Sequence, residues 1–343
     1  MLNVLRCVFI IIGTIIGAGF ASGQEIAVFF NRFGVLGLYG IILACALFGV
    51  IIFWILYVTA QKNIRTLDEL VGNHKILRFI NSAFLLISFC IMIAGIGAFF
   101  EQQFEISSFV GAFVGATICF LVFSYRYKGL EIFNTVLVPF IILGILLVSF
   151  GKYDLSALDK VKYTLQSSFT NHFLLASILY VGYNSLMLMP ILFTLKSYDL
   201  SRRGKVAVAI FSFLILCTVG VALFRAIGLF FPKILAFQLP TLKLASLLGP
   251  TAKFLYGFII LFAIFTTAIS CGYSFLEMNE KNFMRKNLGL CVIAFLLSGI
   301  GFSGLVNTMF PIFGYFGVFE LLVAVFRGKA PRGELREKER RYE

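Results

Sequence analysis

The sequence predicts an all-α polytopic membrane protein, from its low charge, its long apolar runs and the prolines within those runs. Hydrophobic residues make up 60% of the 343 residues, charged residues make up 13%, and the mean hydropathy is +0.98. A soluble domain of this length would need more charge to cover its surface. Pro139, Pro190 and Pro311 lie inside apolar runs. Membrane helices tolerate such prolines because neighbouring helices satisfy the freed carbonyls.

About ten apolar runs are long enough to cross a bilayer, which takes about 20 residues of helix. The ninth run is short, and Gly299, Gly301 and Gly304 crowd its boundary with the tenth. A cleaved signal peptide is an alternative interpretation of the first run, since Arg6 precedes it and small residues follow it. The predicted spans cover residues 4–30, 34–58, 79–100, 106–125, 130–150, 171–195, 205–227, 250–277, 287–302 and 304–326.

The basic residues lie between the apolar runs, so the net charge of +13 indicates membrane topology and not nucleic-acid binding. With the N-terminus inside, 21 of the 29 Lys and Arg residues fall on the cytoplasmic side. The positive-inside rule then predicts cytoplasmic N- and C-termini and a multi-pass protein of the cell membrane. Residues 328–343 are predicted to form a charged cytoplasmic tail.

Several function classes are disfavoured by what the sequence lacks. The seven cysteines are scattered singly without a CxxC pair, which favours small buried apolar residues over disulfides or metal ligands. The sequence contains no Walker A motif, which would indicate an ATP-driven pump. No predicted span contains an aspartate or a histidine pair, so we predict that the protein is not an enzyme. We expect no cofactor other than a bound sodium ion.

The first span is interrupted by four closely spaced glycines, Gly13, Gly17, Gly19 and Gly23. Each glycine costs a helix interior about 1 kcal/mol relative to alanine, or roughly 4 kcal/mol in all. An unwound stretch here would offer carbonyls to a cation and the amides of Gly17, Ala18 and Gly19 to a carboxylate. Close helix packing through GxxxG spacing is the alternative interpretation.

The chain also shows a rough internal correspondence between a first half, residues 1–150, and a second half, residues 171–327. Each half has five predicted spans, and an odd number per half places the halves in opposite orientation. The first span of the second half is predicted to break between Val181 and Ser185, before Pro190. Paired interrupted helices in inverted halves indicate a transporter site. The predicted pocket residues there are Tyr180, Gly182, Tyr183 and Asn184, for which simple packing is the alternative.

The residues Gly-Thr-Ile-Ile-Gly-Ala-Gly at 13–19 resemble the unwound first helix of the amino acid–polyamine–organocation superfamily, which has the LeuT fold. The continuation Phe-Ala-Ser-Gly-Gln-Glu at 20–25 resembles the YkvI-like amino acid permeases of bacteria in particular. The resemblance implies one transmembrane domain, residues 1–327, built as a LeuT-type five-plus-five inverted repeat with helices one and six broken. It also implies a symporter for a small zwitterionic solute such as an amino acid.

The same resemblance implies a sodium site between the first and eighth spans. Its oxygens would suit a hard cation. Thr266 and Thr267 can instead bond back to carbonyls one turn earlier. Phe20 stands where some relatives have the asparagine of a second sodium site, which puts that second site in doubt. The implied ligands are the carbonyls of Gly13, Ile16 and Ala263 and the hydroxyls of Thr266 and Thr267.

Two glutamates inside predicted spans, Glu25 and Glu320, are candidates for proton coupling. A charged group at mid-bilayer is costly and usually faces a cavity or a partner. Glu25 can relay a proton, contact a substrate amine or pair with Arg225. The alternative is an interfacial carboxylate that reaches water. For the whole protein, the alternative function is a non-transporting membrane sensor or morphogenetic protein on a transporter fold.

Overall fold

The computed structural model describes residues 2–64, 66–72, 75–125, 130–163, 170–198, 200–278 and 283–329. Within these residues every regular element is a helix. The predicted tail beyond Lys329 lies outside this part of the chain. The all-helical class predicted from the sequence is therefore confirmed for the residues described.

The first apolar run forms three short helices, α1 (Leu2–Ile15), α2 (Ala18–Ala21) and α3 (Gln24–Phe29). Gly17 is extended between α1 and α2, with φ −80° and ψ −167°. Gly23 is left-handed between α2 and α3, with φ +78°. A residue with a side chain rarely adopts that φ, so the second break depends on glycine. The predicted interruption of the first span is thus confirmed, with two breaks.

Each of the other nine predicted runs contains a helix. Among the described residues, seven helices are long and apolar enough to cross a membrane, and Leu2–Ile15, Ser108–Ser124 and Leu137–Ser149 are shorter apolar helices. The helices after α3 are α4 (Val35–Lys62), α5 (Leu67–Val71), α6 (Lys75–Phe104), α7 (Ser108–Ser124), α8 (Leu130–Ser149), α9 (Phe173–Thr194), α10 (Arg202–Gly228), α11 (Pro240–Leu247), α12 (Pro250–Glu277), α13 (Phe283–Leu297) and α14 (Phe302–Lys329).

The predicted break in the sixth span is wrong, because α9 runs without interruption through residues 181–185. Its polar residues support the helix: the Asn184 amide donates to the Tyr180 carbonyl at 3.0 Å, and the Ser185 hydroxyl donates to the Val181 carbonyl at 2.7 Å. Gly182 allows close packing against α14 and does not unwind the helix. A Cβ at residue 182 would collide with the Gly314 carbonyl oxygen and with Val318.

The broken first span lies at the centre of the helix bundle. Every residue of α2 and α3 is buried. α1 packs against α8, α9 and α10, α2 packs against α12, and α3 packs against α9, α10 and α14. The bundle's outer surface carries large exposed apolar side chains, such as Phe79 and Phe326, as expected of helices in lipid. The short helices α2 and α3 that follow the first break are therefore enclosed by protein.

Candidate functional site

The break between α1 and α2 leaves a set of main-chain groups without main-chain partners. The last bond of α1 runs from the Ile16 N–H to the Ile12 carbonyl, at 2.7 Å, and the first bond of α2 runs from the Ala21 N–H to the Gly17 carbonyl, at 2.9 Å. Within the described residues, no main-chain bond uses the carbonyls of residues 13–16 or the amides of residues 17–20. Most of these residues are buried, and free polar groups in a buried position are costly unless something binds them.

The predicted substrate amides and sodium carbonyls therefore lie on opposite sides of one break. The carbonyls of Gly13 and Ile16 end α1, where the helix dipole is negative and suits a cation. The amides of Gly17, Ala18 and Gly19 begin the next helical turn, where the positive end suits an anion. The structure brings these five predicted residues together at one place.

One of the eighth-span residues predicted to bind sodium, Thr267, lies beside this break. A Cβ at Gly17 would lie 3.7 Å from the Thr267 hydroxyl oxygen. The Thr267 hydroxyl donates to the Ala263 carbonyl at 2.8 Å. The Thr266 hydroxyl donates to the Phe262 and Ala263 carbonyls at 2.9 and 3.2 Å. Both threonines thus make the back-bonds of the structural alternative, and each hydroxyl oxygen keeps lone pairs that can bind a cation.

Glu25 folds back from α3 onto the first break. Its side chain lies so close to Gly19 that a Cβ at residue 19 would collide with the carboxylate oxygen Oε1. The side chain is only 5% exposed within the protein, which argues against an interfacial carboxylate that reaches water. The phenol groups of Tyr180 and Tyr183 lie beside this carboxylate.

Several polar atoms around Glu25 are buried without a hydrogen-bond partner. They include Oε2 of Glu25 and the hydroxyls of Tyr180 and Tyr183. No ion pair to Glu25 is formed by any residue that the structure describes, and Arg225 does not pair with it. Gln24 and Asn31 were not among the predicted site residues. Each has a buried side-chain oxygen without a hydrogen-bond partner. Both residues follow the glycine run closely in the sequence, and this position could have marked them as site residues.

The two tyrosines beside Glu25 belong to a cluster of packed aromatic rings. The Phe29 ring centroid lies 5.4 Å from that of Tyr180 and 5.7 Å from that of Tyr183. The Tyr180 and Tyr183 centroids lie 5.5 Å apart in an edge-to-face arrangement, and Phe310 of α14 stacks on Tyr183 at 4.6 Å. The predicted pocket residues Tyr180 and Tyr183 therefore lie beside an acidic group.

Two predicted residues lie away from the group formed by Glu25, Tyr180 and Tyr183. Gly182 faces α14 and packs against Gly314 and Gly317. Glu320 is fully buried in α14, well beyond Phe310 along the same helix. Asn184 remains in the cluster through its bond to the Tyr180 carbonyl. Glu25 and Glu320 therefore do not form one acidic site.

A clamp that the sequence did not predict holds the end of α2. The Ala21 carbonyl accepts hydrogen bonds from the hydroxyls of Thr241, at 2.7 Å, and Tyr256, at 2.8 Å. The Thr241 N–H also donates to the Ser22 carbonyl at 3.0 Å. We call these three bonds the α2 clamp. Thr241 and Tyr256 belong to α11 and α12, far along the chain from Ala21, so local sequence gives no sign of the contact.

The described residues offer little to a transition metal. They contain no group of three or more His, Cys, Asp or Glu residues placed to hold a metal ion. The donors at the break are main-chain oxygens, threonine hydroxyls and one carboxylate, which suit hard or organic cations.

The fold is that of a membrane transporter. The chain aligns with a structure of the Eremococcus coleocola manganese transporter in complex with an aromatic bis-isothiourea substituted compound, with a TM-score of 0.60 and 14% identity over 94% of this chain and 78% of that one. A mutant of the same transporter aligns with a TM-score of 0.57 and 14% identity over 95% of this chain and 78% of that one. Both are transporters and not enzymes.

Among individual proteins, the chain is similar to the uncharacterized membrane protein YkvI of Bacillus subtilis strain 168. The two are 25% identical over 94% of this chain and 95% of the relative. No protein-family profile matches the chain. The similarity extends over nearly the full length of both chains, and the apolar helices make this chain a multi-pass membrane protein.

Proposed function

We propose that the protein is a secondary active transporter, a symporter that carries a small zwitterionic solute, most simply an amino acid. The observation that carries the proposal is the break between α1 and α2 at the centre of a transporter fold. It leaves four carbonyls and four amides without main-chain partners, most of them on buried residues. A zwitterion and a co-transported cation would satisfy groups of both signs.

The proposed site has an anion half and a cation half. The substrate carboxylate binds the amides of Gly17, Ala18 and Gly19, where the helix dipole is favourable. A sodium ion binds the carbonyls of Gly13 and Ile16 and the hydroxyl oxygen of Thr267, which faces Gly17. Ala263 and Thr266 complete the proposed ion site from α12. A proton on Glu25 is the alternative coupling ion, with the threonines then purely structural.

The wider architecture that we propose is a five-plus-five inverted repeat of ten spans, with repeats at 1–150 and 171–327. The ten helical segments support it by their number and order. The charge distribution supports cytoplasmic N- and C-termini. The similarity to a Bacillus subtilis membrane protein supports a bacterial cell membrane. Because α9 is continuous, the broken helix of the first repeat has no broken counterpart in the second. The pocket is therefore asymmetric in this conformation.

Manganese, the cargo named for the solved neighbours, fits the site less well. Carboxylate, carbonyl and water oxygens in octahedral geometry suit manganese. The described residues contain no group of three His, Cys, Asp or Glu side chains placed to hold a metal ion, and Glu25 is the acid beside the break. This donor set favours an organic solute.

Uptake by purified protein in proteoliposomes tests the proposal. The assay offers the twenty common amino acids under an inward sodium gradient, a pH gradient, or neither. We expect gradient-driven accumulation of at least one amino acid. If an amino acid binds the purified protein but never accumulates under any gradient, the transport function is refuted and the sensor alternative is supported.

A further inference from the structure

We propose that Glu25, together with Tyr180 and Tyr183, binds the protonated amino group of the substrate. This inference rests on the proposed function and specifies the chemical class of its cargo. It assigns the carboxylate to substrate recognition, so that the cation it attracts is an organic ammonium group and neither a metal ion nor the coupling proton.

The position of the carboxylate is fixed by glycine at two points. The left-handed Gly23 turns the chain between α2 and α3, so that a side chain from α3 can point back along α2. Gly19 leaves the space that the Glu25 carboxylate occupies. Three neighbouring residues of the sequence motif thereby cooperate to place one acidic group beside the break.

The protein supplies no positive partner for this group among the residues described. An ionised carboxylate removed from water is strongly disfavoured unless a cation and hydrogen bonds compensate it. The unpartnered hydroxyls of Tyr180 and Tyr183 can supply hydrogen bonds, but they carry no charge. A bound cation would compensate the charge of the ionised carboxylate.

The surroundings select an organic ammonium group over a metal ion. The Phe29, Tyr180 and Tyr183 rings pack with their centroids 5.4 to 5.7 Å apart, and the two tyrosine phenols lie beside the acid. Aromatic faces attract ammonium groups through cation–π interactions. They cannot replace the oxygen shell that a small hard metal ion requires.

The two proposed half-sites also lie next to each other. Gly19 contributes its amide to the anion half of the break and also contacts the Glu25 carboxylate. The proposed sites for the two charged groups of the substrate therefore meet at a single residue. In an α-amino acid the amino and carboxylate groups are attached to the same carbon, so one small molecule can reach both sites.

Binding measurements on the purified full chain test the assignment with matched probes. The probes are L-alanine, L-leucine and L-phenylalanine, with the deaminated acids propionate, 4-methylpentanoate and 3-phenylpropionate, and the decarboxylated amines ethylamine, isopentylamine and phenethylamine. For the wild type we expect the amino acid that binds best to exceed its deaminated acid by about 100-fold in affinity, the scale expected when a buried charge loses its partner.

In Glu25→Gln this preference should fall below about tenfold, because the amino acid loses its ionic partner while the deaminated acid keeps its amide contacts. Tyr183→Phe removes only a hydroxyl, so it should lower the affinity for the amino acid by a smaller factor than Glu25→Gln does. Glu105→Gln makes the same chemical change at an exposed position between α6 and α7 and should leave all affinities unchanged.

The possible results separate this assignment from the proposed function. If Glu25→Gln leaves the ratio of amino acid affinity to deaminated acid affinity unchanged, the assignment alone is overturned. Loss of the pH-gradient dependence of uptake with unchanged amino acid affinity also overturns it, since Glu25 would then carry the coupling proton. If no probe binds the wild type, both the assignment and the proposed function fail.

Discussion

At the scale of single residues, the contact between Gly19 and Glu25 gives the sharpest prediction. Gly19→Ala places a methyl group where the Glu25 carboxylate lies, so the carboxylate must move. We expect amino acid affinity to fall by about tenfold or more, because displacing a charged partner costs at least about 1.4 kcal/mol. Titration calorimetry with the best-binding amino acid measures the effect.

The matched control is Gly289→Ala in α13, where an added Cβ meets nothing within 4 Å. This change should leave affinity unaltered and raise helix stability by up to about 1 kcal/mol. Equal losses of affinity in both variants would show that the Gly19 effect is not specific to Glu25.

Thr267 distinguishes sodium coupling from a structural role. In Thr267→Ala the cation loses one oxygen ligand beside Gly17. We expect the sodium concentration for half-maximal uptake to rise by about tenfold, the equivalent of about 1.4 kcal/mol, and Thr267→Ser to restore it. Uptake measured against sodium concentration in proteoliposomes gives this value.

Thr117→Ala in α7 provides the control for the lost back-bond. Its hydroxyl donates to the Phe113 carbonyl at 2.8 Å on an exposed face, as the Thr267 hydroxyl donates to Ala263. Thr117→Ala should not change the sodium response. An unaltered response in Thr267→Ala as well would favour the purely structural interpretation of the threonines.

Residue-level chemistry was predictable from the sequence only where it is local. The four glycines between Gly13 and Gly23 are enough to predict an interrupted helix, since helix propensity depends mainly on the residues themselves. The partners of Glu25 were not predictable in this way. Its contact with Gly19 requires the left-handed turn at Gly23, and its tyrosines belong to α9, in the second half of the chain.

At the scale of helices, α9 and α14 show why one predicted break was wrong. Gly182 was interpreted as a weak point because glycine lowers helix propensity. The partners that explain it, Gly314 and Gly317, lie in the last helix of the bundle, far from Gly182 in sequence. Small residues that let two helix backbones approach closely are a common packing device in membranes. Local composition alone does not distinguish an unwound glycine from a packed one.

The packing of α9 on α14 predicts that Gly182→Ala destabilises the protein. The added methyl group would collide with the Gly314 carbonyl oxygen and Val318. Overpacking of this kind typically costs about 1–3 kcal/mol, so we expect a lower unfolding temperature in detergent. Gly49→Ala, where the nearest atoms lie at 3.5 and 3.6 Å, is the control and should unfold near the wild-type temperature. Equal unfolding temperatures for all three proteins would contradict close packing at Gly182.

At the scale of the whole molecule, the distribution of basic residues predicts the orientation of the bundle. Because 21 of 29 Lys and Arg residues lie on one predicted side, a C-terminal fluorescent-protein fusion should fluoresce and a C-terminal alkaline phosphatase fusion should be inactive. A matched pair of fusions after Gly151, in the loop predicted to lie outside, should give the opposite result. Active phosphatase at the C-terminus would refute the predicted topology.

The overall architecture was largely predictable because hydropathy alone defines helices in a membrane. Each of the ten predicted apolar runs contains a helix, and the first run is broken as expected. The short α11 and its contact with the first span were not predictable. α11 depends on tertiary contacts of Thr241, and nothing in the hydropathy of residues 240–247 marks them as partners of Ala21.

The α2 clamp has a consequence for conformational populations. Opening the bundle on the side where α11 lies would break three hydrogen bonds, each worth about 1 kcal/mol net. Together these bonds lower the population of the opened form by roughly 100-fold, and the apparent affinity for solute arriving from that side falls by the same factor. The double variant Thr241→Val, Tyr256→Phe removes two of the bonds, and we expect it to enrich the opened form about tenfold or more. The protein would then admit solute from that side more readily and retain it less well.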